Sequence, residues 1–526
     1  MTPEEWIAHD PDPVTAAELA ACDADELAAR FAHPLTFGTA GLRGPVRGGP
    51  DAMNVAVVSR ATWAVAQVLI GRDLAGASVI VGRDARHGSA VFATVTAEVL
   101  AAQGFSVLLL PGTTPTPVVA FAVRHTGAAA GIQITASHNP ATDNGYKVYL
   151  DGGIQLISPT DRQIESAMAA APPADEIARR AVEPAQTDLV QRYIERAAGL
   201  RRGSGSVRVV LTAMHGVGGT VAVDTLHRAG FDHVHAVGAQ FAPDPDFPTI
   251  AFPNPEEPGA TDALLALAAD EDADVAIALD PDADRCAVGV VGESGWRMLS
   301  GDETGWLLGD YILSQEPSET PVVASTVVSS RMLAAIAAEH GAVHVETLTG
   351  FKWLARADAE VPGGSLVYAY EEAIGHCVDP DAVRDKDGIS AAVLVCDLVA
   401  ALKARDASVP EALDGLARRY GVHDVAAVSR RVADAAEAAD LMHRLRAAPP
   451  GRLAGFAATV TDITDALIFT GGDDEASARV VVRPSGTEPK LKCYIEIRCA
   501  VTGDLSAARA RAGELRQHLV EEVRGW

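Results

Sequence analysis

Short runs of aliphatic and β-branched residues alternate along the chain with longer Ala- and Leu-rich stretches, and a polar loop separates each pair. "ASVIVGRDARHGS" (77–89) reads as a strand, a charged turn and a helix start. "FSVLLLPGTTPTPVVAFAV" (105–123) does the same, and its spacing predicts Thr116 as an N-cap with Pro117 at the first helical position. The pattern restarts at "SVRVVLTAMHGVGG" (206–219) and "TPVVASTVVSSRM" (320–332). Brief apolar runs between helical stretches predict α/β layers.

Three of the predicted strands end in unusually polar loops: "GIQITASHNP" from 131, "VAIALDPDADR" from 275 and "SLVYAYEEAIGH" from 365. In open α/β sheets the crevice beyond the carboxyl ends of the strands is where ligands bind. Three such ends predict three similar domains facing one cleft. Pro140 stops the first run, which would stand Ser137 at its tip, open to the cleft. Breaks in the pattern at "GLRRGSGS" (199–206), "LSQEPSETP" (313–321) and near "RRYGVHDVAAVSRR" (418–431) place the domains at 1–203, 204–316, 317–425 and 426–526.

At 526 residues the chain exceeds what a single core accommodates. Its 43 Lys+Arg against 70 Asp+Glu give a net charge of −27 and leave no basic stripe, which argues against a nucleic acid partner. An anionic small substrate would need cations gathered locally, so single Arg and Lys positions carry information. The six cysteines form no CxxC pair and read as reduced thiols. "MTPEEWIAHD" is acidic and lacks the apolar run of a signal peptide, and Gly104, Pro111, Gly112, Pro115 and Pro117 break the uncharged stretch 99–123 that might otherwise suggest a membrane span. The expectation is a cytoplasmic protein with neither membrane nor nucleic acid partners. No pattern specifies an oligomeric state.

Beyond the Ser137 loop, five further loops carry chemistry. In Asp280-Pro281-Asp282-Ala283-Asp284-Arg285, carboxylates at alternate positions of an extended loop can converge on one hard cation. An EF-hand register fails, because its glycine position falls on Arg285 and its bidentate glutamate on Val291. Three monodentate carboxylates with open positions suit Mg²⁺ bound together with a phosphate oxygen. In Arg483-Pro484-Ser485-Gly486-Thr487-Glu488-Pro489-Lys490, Gly486 lets backbone N–H groups approach an anion, Ser485 and Thr487 add hydroxyls, and Arg483 offers a fork matched to phosphate. "FGTAGLRG" (37–44) sets glycines around Arg43, while "LTGFKW" (348–353) and "YEEAIGH" (370–376) offer Lys352, Glu371, Glu372 and His376, with carboxylates suited to accept from sugar hydroxyls.

Together these loops resemble the α-D-phosphohexomutase superfamily over nearly the whole chain. Its phosphoserine loop T-A-S-H-N-P with a following N-G-x-K is Thr135–Pro140 with Asn144-Gly145-Tyr146-Lys147, its metal loop D-x-D-x-D-R is Asp280–Arg285, and its phosphate loop R-x-S-G-T-E-P is Arg483–Pro489. "PNPEEPGA" (253–260), "MHGVGG" (214–219) and "RDKDG" (384–388) are similar to the phosphoglucomutase-2 or phosphomannomutase branch. The resemblance implies four domains around a central cleft, the first three topologically related mixed α/β units and the fourth a smaller α+β domain. It implies a phosphoserine at Ser137, Mg²⁺ held by Ser137, Asp280, Asp282 and Asp284, and cations Arg43 and Arg285 near the transferred group. His138 and Lys147 would exchange protons with the sugar hydroxyl. Lys352, Glu371, Glu372, His376 and Lys386 would bind the sugar, and Arg483, Ser485, Gly486, Thr487 and Lys490 the idle phosphate.

The implied reaction interconverts a sugar 1-phosphate and 6-phosphate, of glucose or mannose, through a sugar 1,6-bisphosphate. The sugar loop departs from the family's G-E-x-S form, since Ala373 stands where a hydroxyl is often found. A phosphopentomutase acting on ribose or deoxyribose 1-phosphate is therefore the alternative. A catalytically silent sugar-phosphate binder is the alternative from another class, and the intact Ser137, aspartates and Lys147 argue against it.

Overall fold

Three sheets of the structure, a computed structural model describing residues 1–37, 41–150, 152–315, 319–464, 466–484 and 490–526, repeat one strand order. In the first sheet Ser106–Leu109, Ser78–Arg83 and Ala130–Ile134 run parallel, and Asp143–Leu150 pairs antiparallel with the last of them. The second repeats this order with His233–Ala236, Arg208–Thr212, Val275–Leu279 and Cys286–Gly292. The third does so with Val343–Thr347, Pro321–Thr326, Ser365–Glu371 and Gly375–Cys377. The first three domains are thus related in topology, and their three polar loops occupy one equivalent place. Each loop reverses the chain from the third strand into the antiparallel fourth. Parallel neighbours need a crossover of a dozen residues or more, so this reversal is where a short loop reaches the carboxyl edge of the sheet.

The third strands, "AGIQI" and "VAIAL", are buried at every position, as expected where helices cover both faces of a sheet. One apolar cluster runs through all three domains, joining Ile80, Val119, Tyr193, Leu211, Val288, Leu308, Tyr368 and Leu394. At its centre lies the helix Gly388–Lys403, capped by Asp387, whose side chain accepts from the N–H groups of Ile389 and Ser390 and from the Tyr193 hydroxyl. The link at 199–206 is anchored, because Asp397 accepts from the N–H groups of Arg202 and Gly203.

The fourth domain is an antiparallel sheet ordered Val422–Arg431, Lys490–Cys499, Ala476–Pro484, Ala466–Gly472, Phe456–Ile463, Arg452–Leu453, with the helices Ala435–Ala447 and Leu505–Arg524 packed on it. Val422 already pairs with Cys499, so the break expected at 425 falls inside a strand. The polar "RRYGVHD" stretch read as a linker is a helix end running directly into that strand. Among the described residues no helix is long and apolar enough to cross a membrane.

The fourth domain docks on the third through Val327 and Val328 against Ala466 and Val481, and through buried Glu496. Glu496 accepts from Ser330 Oγ (2.6 Å), Arg331 N (2.9 Å) and Arg331 Nε (2.6 Å), and pairs with His423 Nδ1 (2.7 Å). Burial alone would raise its carboxyl, but His423, Arg331 and Ser330 outweigh it and hold the group far below its ordinary value of 4.5. A depressed folded-state value stabilises above the unfolded pKa and is lost as pH falls. Glu496→Ala is expected to cost about 3–5 kcal/mol, since it strands buried donors, and Glu496→Gln should flatten the loss of stability as pH falls below 4.5. Urea unfolding at pH 7 and across the acid range checks both.

Candidate active site

The first reversal does not wait for the proline. The strand ends at Ile134, and Thr135 Oγ1 accepts from Ser137 N at 2.9 Å, closing a tight turn six residues after Gly131 and well before Pro140. Ser137 has φ 53°, a left-handed conformation that costs a non-glycine residue about 1–3 kcal/mol and persists where its surroundings over-determine it. It is only 2% exposed, so the open tip expected from the sequence is instead a covered position. Its Oγ donates to Asp280 Oδ2 at 2.8 Å and lies 3.3 Å from His138 Nδ1.

The second reversal is turned rather than extended: Ala283 has φ 59°, its N–H donates to Asp280 O, and Arg285 N donates to Asp280 Oδ1 at 3.0 Å. This packs Asp280, Asp282 and Asp284 into a buried nest whose ligand oxygens all lie within 4.8 Å of one another. Backbone seals it. A Cβ on Gly216 would stand 2.3 Å from Pro281 Cα, and one on Gly388 would stand 2.3 Å from Arg285 O.

Charge balance comes from other domains. Lys147 Nζ donates to Asp282 Oδ2 at 2.6 Å and Asp284 Oδ2 at 2.7 Å. Thr116 Oγ1 donates to Asp282 Oδ2 at 2.6 Å. Its hydroxyl is therefore spent on the acid loop, and the N-cap role expected for it passes to Pro115, with Thr116 the first residue of the helix Thr116–Thr126. Lys386 Nζ stands 3.4 Å from Asp284 Oδ2. Burial opposes ionisation of Asp282, yet Lys147 and Thr116 hold it below the ordinary carboxylate range. Burial, with Asp282 and Asp284 alongside, pushes Asp280 well above that range. Burial would likewise neutralise Lys147, but Asp282 and Asp284 keep it charged. His138 is driven the other way, well below its usual value, by burial and then by Arg285 and Arg43.

This donor set fits a hard divalent cation. Asp282 Oδ1 and Asp284 Oδ1 are buried and accept no hydrogen bond among the described residues. Buried carboxylate oxygens are expensive to leave unpaired, and together with Asp280 and the Ser137 oxygen they provide oxygen ligands of the kind Mg²⁺ takes. A cation there would also relieve the repulsion that raises Asp280.

Arg43 and Arg285 flank the nest. Arg43 donates to Asn139 Oδ1 at 3.3 Å, from a strand held against Asp143–Tyr146. Gly145 is required there, since a Cβ would stand 2.5 Å from Thr135 O. Arg285 Nη1 lies 3.7 Å from Glu256 Oε2.

At the third reversal Glu371 lies within the field of Lys386 and Arg285, though burial leads in raising its carboxyl. Glu372 is engaged in its own domain, accepting from Thr326 Oγ1 (3.1 Å) and Ser329 Oγ (3.2 Å). Lys352, on the short helix Phe351–Leu354, is largely buried and adjoins the Phe351 ring that lies 5.5 Å from Lys386 Nζ. His376 corrects the sequence expectation. It is fully buried, stacked with Tyr368 and Tyr370, bonded to Tyr368 Oη at 3.0 Å, and burial lowers its pKa to about 3. It is a neutral core histidine beneath the loop, not a group presented to a sugar.

Ser485, Gly486 and Thr487 lie outside the described residues. Arg483 and Lys490 sit on the two strands that lead to and from them, Arg483 opposite Lys492. Tyr494, on the second of these strands, packs against the cluster that holds Val327 and Val328 of the third domain: after burial, the charges of Glu372 and Arg483 are the largest influences on its hydroxyl. The structure thus brings Ser137, His138, Lys147, Arg43, Arg285, Lys386, Glu371 and the three aspartates together. Arg86, Thr116 and Glu256 also belong to this neighbourhood and were not read as site residues, because the partners that place them there lie far off in the chain or outside their own local pattern.

Models of the four phosphoglucomutase/phosphomannomutase domains match in order, α/β/α domain I at residues 34–174, domain II at 191–293, domain III at 300–420 and the C-terminal domain at 428–502. A probable phosphomannomutase of Haemophilus influenzae is 39% identical, covering 89% of this chain and 98% of its own. The phosphopentomutase of Homo sapiens is 33% identical, covering 95% and 91%. The crystal structure of a phosphoglucomutase/phosphomannomutase family protein from Burkholderia thailandensis superposes with a TM-score of 0.71 at 22% identity, over 92% of this chain and 97% of that one, and so shares the fold. The protein is an enzyme that moves a phosphoryl group within one sugar phosphate, an intramolecular phosphotransferase. It belongs to the phosphoglucomutase/phosphomannomutase family of the α-D-phosphohexomutase superfamily.

If the acid nest holds a divalent cation, Mg²⁺ at a hundred times its Kd should add about 2.7 kcal/mol to the unfolding free energy. Asp280→Asn should lose that gain, and chelation should reverse it. Thermal unfolding with and without Mg²⁺ checks this, and a parent protein unmoved by Mg²⁺ would contradict it.

Proposed function

We propose that the protein interconverts the 1-phosphate and 6-phosphate of glucose or mannose through a phosphoserine at Ser137 and a sugar 1,6-bisphosphate. The observation that carries this reading is the 2.8 Å contact of Ser137 Oγ with Asp280 inside a buried nest of three aspartates. The two exchanged oxygens of a hexose are too far apart for direct transfer, so the phosphoryl group must pass through the protein. In the forward half-reaction the bond from phosphorus to Ser137 Oγ breaks and a bond to the free sugar hydroxyl forms. The hydroxyl proton leaves to a base in the cleft, and the serine oxygen is reprotonated when its phosphoryl group is gone. The second half reverses this from the other phosphate after the bisphosphate turns around.

His138, 3.3 Å from Oγ, is placed to exchange a proton at the reacting oxygens. Lys147, kept charged by two aspartates, suits stabilisation of developing negative charge. Arg43 and Arg285 would hold the transferring group from its flanks, with Lys352, Glu371, Glu372 and Lys386 facing the sugar. Arg483, Ser485, Gly486, Thr487 and Lys490 would hold the phosphate that is not reacting. Mg²⁺ held by Ser137, Asp280, Asp282 and Asp284 would neutralise charge on the phosphoryl oxygens. Six unpaired cysteines agree with a cytoplasmic location.

A pentose phosphate is the second reading. It is supported by relatives named phosphopentomutase and phosphoribomutase at 31–33% identity, and by Ala373, which offers a sugar ring no hydroxyl. The purified chain treated with glucose 1,6-bisphosphate should gain about 80 Da, the mass of one phosphoryl group, and Ser137→Ala should not. Comparison of kcat/KM for glucose, mannose and ribose 1-phosphates then decides the sugar, since discrimination resides in that ratio. A ribose value about tenfold above both hexoses would replace the hexose reading with the pentose one. No mass gain with any bisphosphate would end both.

A further inference from the structure

Ser137 is held in its left-handed conformation by a residue 51 positions away in the chain. Arg86 follows the strand Ser78–Arg83, and its side chain is 1% exposed. Its Nη2 donates to Ser137 O at 2.7 Å and Asn139 O at 2.6 Å, and its Nη1 donates to Pro140 O at 2.7 Å and Asp143 O at 3.1 Å. Four carbonyls of one turn therefore converge on one guanidinium. Buried carbonyls require donors, and a planar fork with five N–H groups is the one side chain that can serve four of them at once. Lysine, a single point charge on a flexible stem, cannot.

Both peptide groups of Ser137 are thereby fixed, its N–H by Thr135 Oγ1 and its carbonyl by Arg86. With backbone pinned on both sides, the hydroxyl is left facing Asp280. Arg86 is itself locked. Asp84 Oδ2 lies 3.5 Å from its Nε, and Asp84 Oδ1 accepts from Arg86 N at 3.0 Å and Ser89 Oγ at 2.5 Å. Across the domain boundary the Phe247 ring covers the guanidinium, 5.0 Å from Cζ, and His87 pairs with Asp246 at 2.6 Å beside it. Phe247 belongs to the second domain, which also carries Asp280, so the turn holding the hydroxyl and the loop receiving it are braced against each other.

The geometry points to Arg86 as a positioning residue that sets the Ser137 oxygen against the acid nest, with Phe247 making that setting depend on docking of the first two domains. This rests on the phosphoserine reading of Ser137. Arg86→Ala should slow both phosphorylation of Ser137 by glucose 1,6-bisphosphate, followed by intact mass, and kcat, each by about a hundredfold, the cost of a reacting atom displaced by about 1 Å. KM for the sugar phosphate should stay within about threefold, because the lost interaction aligns the reacting group and does not bind the sugar. Added guanidinium should recover part of the rate in Arg86→Ala, whereas Arg86→Lys should recover none. Phe247→Leu, which leaves the turn untouched, should slow the same step by about fivefold to tenfold through looser alignment, and it carries the test if Arg86→Ala does not fold. A parent chain that gains no mass sinks the phosphoserine reading and this proposal with it. A parent that gains it no faster than the variants sinks the positioning role alone, as does a loss in Arg86→Ala that guanidinium leaves unchanged.

Discussion

Three carboxylates buried side by side repel one another, and the molecule is organised around answering that repulsion. Asp280, Asp282 and Asp284 lie at most 1% exposed, and water cannot screen them there. Their compensation is drawn from three places in the chain: Lys147 and Thr116 from the first domain, Lys386 from the third, and the Arg285 backbone within their own loop. Domain docking is thus an electrostatic requirement as well as an apolar one. The cluster that includes Val119, Leu279 and Leu394 brings the domains together, and the acid nest makes their arrangement specific.

One device is used three times. Each of the first three domains turns its chain between the third strand and an antiparallel fourth, and each turn contains a non-glycine residue in the left-handed region: Ser137, Ala283 and Ile374. Strain of this kind is retained where the surroundings leave no alternative and where it aims a functional group. Close backbone contact supplies the constraint, as at Gly216 and Gly388 against the acid loop and Gly301 against Glu372. The third turn lies against the second, with Arg285 bridging to Gly375. Repetition of one sheet topology therefore delivers a hydroxyl, an acid nest and a carboxylate pair to a common cleft.

Much of this was legible in the chain. Apolar runs such as "VAIAL" ending in acids identified the strand ends, because burial on both sheet faces leaves no alternation and the polar residues mark where burial stops. The alternate aspartates were legible as carboxylates able to converge, from their spacing together with the buried strand that precedes them. His376 was misread because a histidine after a polar loop looks the same in sequence whether it faces a ligand or the aromatic pair Tyr368 and Tyr370. Arg86 was passed over since an arginine in a charged turn is ordinarily solvated, and its four acceptors lie 51 to 57 residues further on. Residue 425 falls inside the strand Val422–Arg431, because a polar stretch can be an edge of a sheet as easily as a linker.

By itself the sequence determined which loops carry chemistry, because a strand's end, a turn and a set of donor atoms are properties of neighbouring residues. Which donor meets which acceptor was decided by the tertiary structure alone. Lys147 meets Asp282 across 135 positions, Ser137 meets Asp280 across 143 and Thr116 meets Asp282 across 166. Partners at such separations are chosen by the packing of one domain on another, and no local pattern encodes that.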